Sequence, residues 1–111
     1  MTYEEKISWL SRYREAEKLY QRLSYRLAEA QEATRHITQN LSAAPGGSKD
    51  GQSLARAVER QEEAERRAYA QLAVCDALFA EIDAALVQLD SAEYCALRKY
   101  YLNCLIWEQV A

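Results

Sequence analysis

Two apolar ladders face each other across one glycine-rich break, and the residue numbers of opposed rungs add to a constant. The first ladder is Trp9, Tyr13, Ala16, Tyr20, Leu23, Leu27, Ala30, Thr34, Ile37 and Leu41. The second is Leu54, Val58, Gln61, Glu65, Ala68, Leu72, Cys75, Phe79, Ile82 and Leu86. Both step by alternating threes and fours, the spacing of a supercoiled helical seam. Folding the chain back at the break sets Leu41 against Leu54, Ile37 against Val58, Leu23 against Leu72 and Tyr13 against Ile82. One antiparallel register therefore satisfies every rung. The pattern predicts an all-α protein built on a long antiparallel two-helix coiled-coil hairpin, followed by a short third helix and the start of a fourth.

Local signals set the expected boundaries. Thr2 and Glu5 have capping-box spacing, so the first helix should begin there and run to about Leu41. At ~1.5 Å per residue that is roughly 60 Å of helix. The three glycines and the single proline all lie between positions 45 and 51. They place a loop at 42–52, with Asp50 or Ser53 able to cap a second helix over about 53–90. Asp90 and Glu93 repeat the capping spacing and predict a third helix from about Ala92 to Leu102. A turn near Asn103 and Cys104 then leads into a fourth. The expected organisation is a hairpin over 1–90 and a helical segment over 91–111.

The hairpin core should be best packed where Tyr13, Tyr20, Leu23, Leu72, Phe79 and Ile82 converge. Nearer the loop, Gln61 and Glu65 face Thr34 and Ala30. Polar groups in a seam can fix register at some cost in stability, or they can mark a wet, loosely packed section. Both readings are open. A second stripe, Ala70, Ala73, Ala77, Ala80, Ala84 and Val87, repeats on the outer side of the second helix, with Val74 nearby and Leu19 and Leu78 widening one flank. Alanine is the best helix former and could sit there for propensity alone. The regular spacing points instead to a contact, made either by the third helix folding back or by a second copy. The expectation is a homodimer using this stripe.

Composition narrows the functional classes. A net charge of −3 argues against a generic nucleic-acid surface. No apolar run approaches membrane-spanning length, and the N-terminal residues lack the basic-then-apolar layout of a signal peptide. The cytoplasm is the expected compartment, with no membrane partner. Cys75, Cys95 and Cys104 are odd in number and form no CxxC, which suits reduced, partly buried thiols. His36 is the single histidine and is expected to face solvent. The pairs Glu62 and Glu65, and Glu81 and Asp83, read as ordinary surface acids. The sequence GGSKDG lacks the order of a phosphate loop and the strand that precedes one. No catalytic, metal or cofactor site is expected, and an enzyme is not.

The basic row Arg14, Lys18, Arg22 and Arg26 steps by four along the first helix. It could follow a phosphate backbone or an acidic partner. Interleaved Glu15, Glu17 and Glu29 favour a solvated face with local ion pairs. Along one edge of the hairpin Glu17, Asp76 and Asp83 should repel nucleic acid.

The stretch from Ser91 reads SAEYCALRKYYLNCLIWEQVA. A helix bearing Leu97, Tyr100 and Tyr101, then a turn, then Trp-Glu-Gln-Val-Ala, resembles the entry into the helix-turn-helix of sigma factor region four. With the long helix, Ser/Pro/Gly linker and second long helix before it, the layout is similar to a family of uncharacterised phage and prophage proteins. That family is related to late-transcription regulators of the autolysin-regulator type. The resemblance implies that Leu97, Tyr101 and Leu102 buttress the DNA-reading pair. It implies that Trp107, Val110 and Ala111 form the inner face of that pair's first helix. Two positions depart from the pattern. Cys104 stands where the family has glycine, and Ile106 stands where Ser or Thr would cap the next helix.

The sequence stops before the turn and recognition helix that would meet base edges. The resemblance thus implies a phage-type transcription regulator, or a fragment of one, in a bacterial host. Its coiled coil would be an oligomerisation arm or a contact for transcription machinery. DNA would be reached only through residues that this chain does not include. The alternative is a non-enzymatic helical adaptor that assembles through its coiled coil and binds a protein partner.

Overall fold

The structure, a computed structural model, describes residues 2–43 and 48–110; within these, the side chains of 40–43, 48–51 and 107 lie outside the description. Every regular element among the described residues is helical: α1 (Tyr3–Leu10), α2 (Arg12–Ala43), α3 (Ser48–Leu86), α4 (Ser91–Tyr101) and α5 (Trp107–Val110). Among the described residues no helix is long and apolar enough to cross a membrane.

α1 begins as the sequence predicts. The Glu5 amide donates to Thr2 Oγ1 at 3.2 Å, and the Thr2 amide donates to Glu5 Oε2 at 3.2 Å, closing the capping box. The first helix is not continuous, however. It breaks at Ser11, where the Arg12 side chain donates from Nε to the Trp9 carbonyl at 3.0 Å. A side chain engaging a carbonyl of the helical ladder is a recognised cause of a helix bend.

Other boundaries also move. α3 starts at Ser48 rather than near 53, so Asp50 and Ser53 lie inside the helix and are not its caps. Gly51 is carried within the helix, a cost of about 1 kcal/mol that a long helix can absorb. α3 ends at Leu86, four residues before the expected Asp90, because Asp90 starts the next helix instead. The turn between them carries a Leu89 amide bond to the Leu86 carbonyl at 3.0 Å. The proposed loop residues 44–47 lie outside the described residues.

The chain divides into two compact units, Met1–Leu19 with Gln71–Ala111, and Tyr20–Ala70. Within each, a stretch of α2 runs antiparallel to a stretch of α3. In the first unit the core is Ile82, Leu86 and Leu102, with Trp9, Leu10, Tyr13, Phe79, Tyr94 and Leu97 packed around them. Trp9 and Tyr13 thus pack on the cluster that holds Leu86 and Ile82, the rungs the antiparallel register assigns to them. Tyr13 meets Phe79 edge to face, with ring centroids 5.4 Å apart. Ile82 is wholly inaccessible, and Ala16 and Cys75 are buried beside it along the seam. Gln71 Nε2 donates to the Ala16 carbonyl at 3.0 Å.

In the second unit the buried positions among the described residues are small, Ala57 and Ala68. Tyr20, Leu23, Leu27, Ile37 and Leu54 are half-buried, as expected of the seam. The Leu41 side chain lies outside the described residues. Val58, expected opposite Ile37, is exposed instead, and Ala57 takes the inward place. The reason is helical pitch. At ~100° per residue, Ala57 lies about 20° from Ala68 around the helix, whereas Val58 lies about 80° away. A strict seven-residue ladder would need supercoiling to keep Val58 inward, and α3 follows its own pitch here.

The polar rungs do not bond across the seam. Gln61 Nε2 donates to Glu65 Oε1 at 3.2 Å, and Thr34 Oγ1 donates to the Ala30 carbonyl at 3.0 Å. Each is satisfied one turn away on its own helix.

Candidate functional site

The segment from Ser91 is built onto the first unit through one carboxylate and two arginines. Asp90 caps α4, its Oδ1 accepting from the Glu93 amide at 3.0 Å. This fixes the start of the helix. Tyr94 and Arg98 then fall one turn apart on the same face. The Tyr94 hydroxyl donates to Asp83 Oδ1 at 2.8 Å, and Arg98 Nε donates to the same oxygen at 3.2 Å. The Arg98 guanidinium also lies over Phe79 and Tyr94, at 5.5 and 6.0 Å from the ring centroids. Such contacts add modestly to the packing. The hydrogen bond to the Asp83 carboxylate raises the Tyr94 pKa, because losing the phenol proton would set two anions together.

Asp83 is therefore not the ordinary surface acid that its place in the sequence suggests. It accepts two hydrogen bonds from α4. Glu81 is engaged as well, by Arg12 at 3.0 Å, and Arg12 in turn lies 4.6 Å from the centre of the Trp9 ring.

Arg14, the first member of the basic row, also departs from expectation. It is half-buried, lies 4.5 Å from the Tyr100 ring centre and donates from Nη1 to the Tyr100 carbonyl at 3.3 Å. A cation near the C-terminal carbonyls of α4 is favourably placed against the helix dipole. Lys18 pairs with Glu15 at 3.4 Å, the local pairing the sequence suggests, and Arg22 and Arg26 are exposed.

Beneath these polar contacts lie the apolar residues of α4 and its C-terminal cap. Leu97 packs on the core, Leu102 belongs to it, and Tyr101 is buried with its ring 4.8 Å from that of Tyr100. Burial raises the Tyr101 pKa. After Leu102 the chain turns at Cys104, which has φ +57°. This is the left-handed region, where a side chain bearing Cβ is strained and glycine is not. The turn brings the Leu105 amide back to the Lys99 carbonyl at 3.1 Å.

α5 then opens at Trp107. Ile106 offers no side-chain acceptor, but Gln109 Oε1 accepts from the Ile106 amide at 3.0 Å, supplying half of a capping box. α5 packs against α4. Val110 is half-buried, while the Trp107 side chain and Ala111 lie outside the described residues.

The proposed oligomer stripe is left open. Ala70, Ala73, Ala77, Ala80, Ala84 and Val87 are all exposed, as is Val74. α4 packs on the Phe79, Asp83 and Leu86 side of α3 and leaves the stripe open, so the third helix does not cover it. His36 is exposed. The thiols differ more than expected: Cys75 is buried, Cys104 intermediate and Cys95 exposed. Burial raises the pKa of both Cys75 and Cys104 and holds them as thiols.

The contacts of Asp83 and Arg14 with α4 were not legible beforehand. The one available signal was the i,i+4 spacing of Tyr94 and Arg98, which marks a shared face without naming what it meets. No protein-family model matches this chain, and no curated protein and no solved structure matches it either.

Proposed function

We propose that this protein is a phage-type transcription regulator and not an enzyme. In this reading the hairpin is an oligomerisation or partner-binding arm in the host cytoplasm, and the segment from Ser91 mounts a helix-turn-helix. The observation that carries the reading is the turn at Cys104, which has positive φ at the position where the sigma-like pattern has glycine. Leu97 and Leu102 packing into the core supports it. A platform held at Asp83 would present a following recognition helix in a defined orientation.

The test is retardation of duplex DNA by the product of the full reading frame. Retardation that weakens steeply with salt is expected. No retardation even at low salt overturns the regulator reading.

The exposed alanine stripe favours a second reading, a helical adaptor that assembles as a homodimer through α3. Retention of a dimer without any DNA binding in the same experiments would select it.

A further inference from the structure

An arginine-rimmed groove in the second unit has no role in the platform described above. Its main hollow, about 360 Å³, has Leu23 and Ala64 in its lining and carries four guanidinium groups, those of Arg26, Arg56, Arg60 and Arg67. A second hollow of about 240 Å³ shares Arg56 and Arg60 and continues past Ala30 and Ala33 to Ile37. From Leu23 to Ile37 the groove follows some four turns of α2, roughly 21 Å at ~1.5 Å per residue.

The charges around it are unbalanced. Glu63 is taken by Arg66 and Arg67, and the Arg66 hydrogen bond foremost lowers its pKa. Among the described residues Arg26, Arg56 and Arg60 make no ion pair. Glu59 is the one remaining acid in the lining.

We propose that this groove takes an amphipathic acidic helix from a protein partner. Its apolar row would lie over Leu23, Ala30, Ala33 and Ile37, and its carboxylates would meet Arg26, Arg56 and Arg60. The proposal rests on reading the hairpin as a partner-binding arm. Length and floor select the occupant. An elongated aliphatic floor suits side chains repeating at three and four along a helix. Guanidinium groups on the rim suit carboxylates, which they can grip with two parallel hydrogen bonds. A phosphate backbone has no use for an aliphatic floor. The described lining offers no aromatic ring for bases to stack on, and it sets Glu59 against the phosphates.

The test uses fluorescence anisotropy of a labelled helical peptide with leucine at three-four spacing and glutamate elsewhere. The control peptide has the same composition in shuffled order. Saturable one-to-one binding is expected for the amphipathic peptide, with the shuffled peptide about tenfold weaker or worse. The double variant Arg56→Glu/Arg60→Glu should lose about tenfold or more in affinity, since it turns attraction into repulsion. Both residues are exposed, so the variant should keep its helicity by circular dichroism.

No saturable binding, equal binding of the shuffled peptide, or an unaffected double variant each overturns the proposal. Tighter binding of duplex DNA, lost in the same variant, would assign the groove to nucleic acid. Self-association of the free protein, abolished by the variant, would assign it to a second copy. The titration needs no recognition helix. If it fails while the product of the full reading frame still retards DNA, the groove inference alone has failed.

Discussion

Replacing Cys104 by glycine and, separately, by alanine isolates the backbone cost of the turn between α4 and α5. Both substitutions remove the half-buried thiol, so its packing cancels in the comparison. Cys104 has φ +57°, where a residue with Cβ is disfavoured by roughly 1–2 kcal/mol. Glycine escapes that strain but loses more freedom on folding, by about 0.4–1 kcal/mol. The difference should leave the glycine variant more stable than the alanine variant by on the order of 1 kcal/mol. For a chain of this size that is a gap of roughly 4 °C in melting temperature.

Urea unfolding under reducing conditions, followed by tryptophan fluorescence, is the suitable assay. Trp9 and Trp107 both belong to the unit that contains Cys104, so the signal reports the part of the protein where the strain lies. The midpoint should move while the denaturant slope stays constant. An alanine variant as stable as the glycine variant would refute the reasoning, because the turn could not then be holding a left-handed residue.

Four further outcomes are expected. Ile82→Ala empties a wholly inaccessible position and should cost about 2–5 kcal/mol by urea unfolding, whereas Val87→Ala on the open face should change stability by less than about 0.5 kcal/mol. A double-mutant cycle on Asp83→Ala and Arg98→Ala should give a coupling of about 0.5–1 kcal/mol, because both side chains keep about a third of their exposure; zero coupling would mean that the Asp83–Arg98 pair does not help to hold α4. Burial, and then the neighbouring Glu17 charge, pushes the Tyr13 pKa up to about 12 from 10.0. The folded state therefore holds that proton more tightly, and the stability it contributes is present below pH 10.0 and lost as pH rises towards about 12; urea midpoints against pH should fall less steeply in Tyr13→Phe. Ala77→Glu sets a charge in the exposed stripe and should convert a dimer to a monomer by analytical ultracentrifugation; an unchanged mass would remove the stripe from the interface.

Features that depend on neighbouring residues were legible in the chain itself. The Thr2 capping box and the Asp90 cap need only a side chain and an amide three residues away, and both form. The seam at Trp9, Tyr13, Ile82 and Leu86 was legible because apolar periodicity states which face must be buried. The same pattern failed at Val58, where a heptad assumes a supercoil and α3 keeps the pitch that buries Ala57. It gave no sign of the bend at Ser11, since the side chain that engages the Trp9 carbonyl there is an arginine otherwise at home in a helix.

The sequence by itself determined the helices, their reversal at the glycine-rich break, the antiparallel pairing and the place where α4 starts. Only the tertiary structure decided which charges matter. Asp83 and Arg14 look like solvated side chains because their partners, Tyr94, Arg98 and Tyr100, lie on a separate helix. Periodicity reports the face a residue occupies, while an ion pair or a cation over a ring depends on which other helix arrives at that face. For the same reason the alanine stripe could be foreseen as apolar, but the docking of α4 on the Asp83 side was needed to show that it stays open.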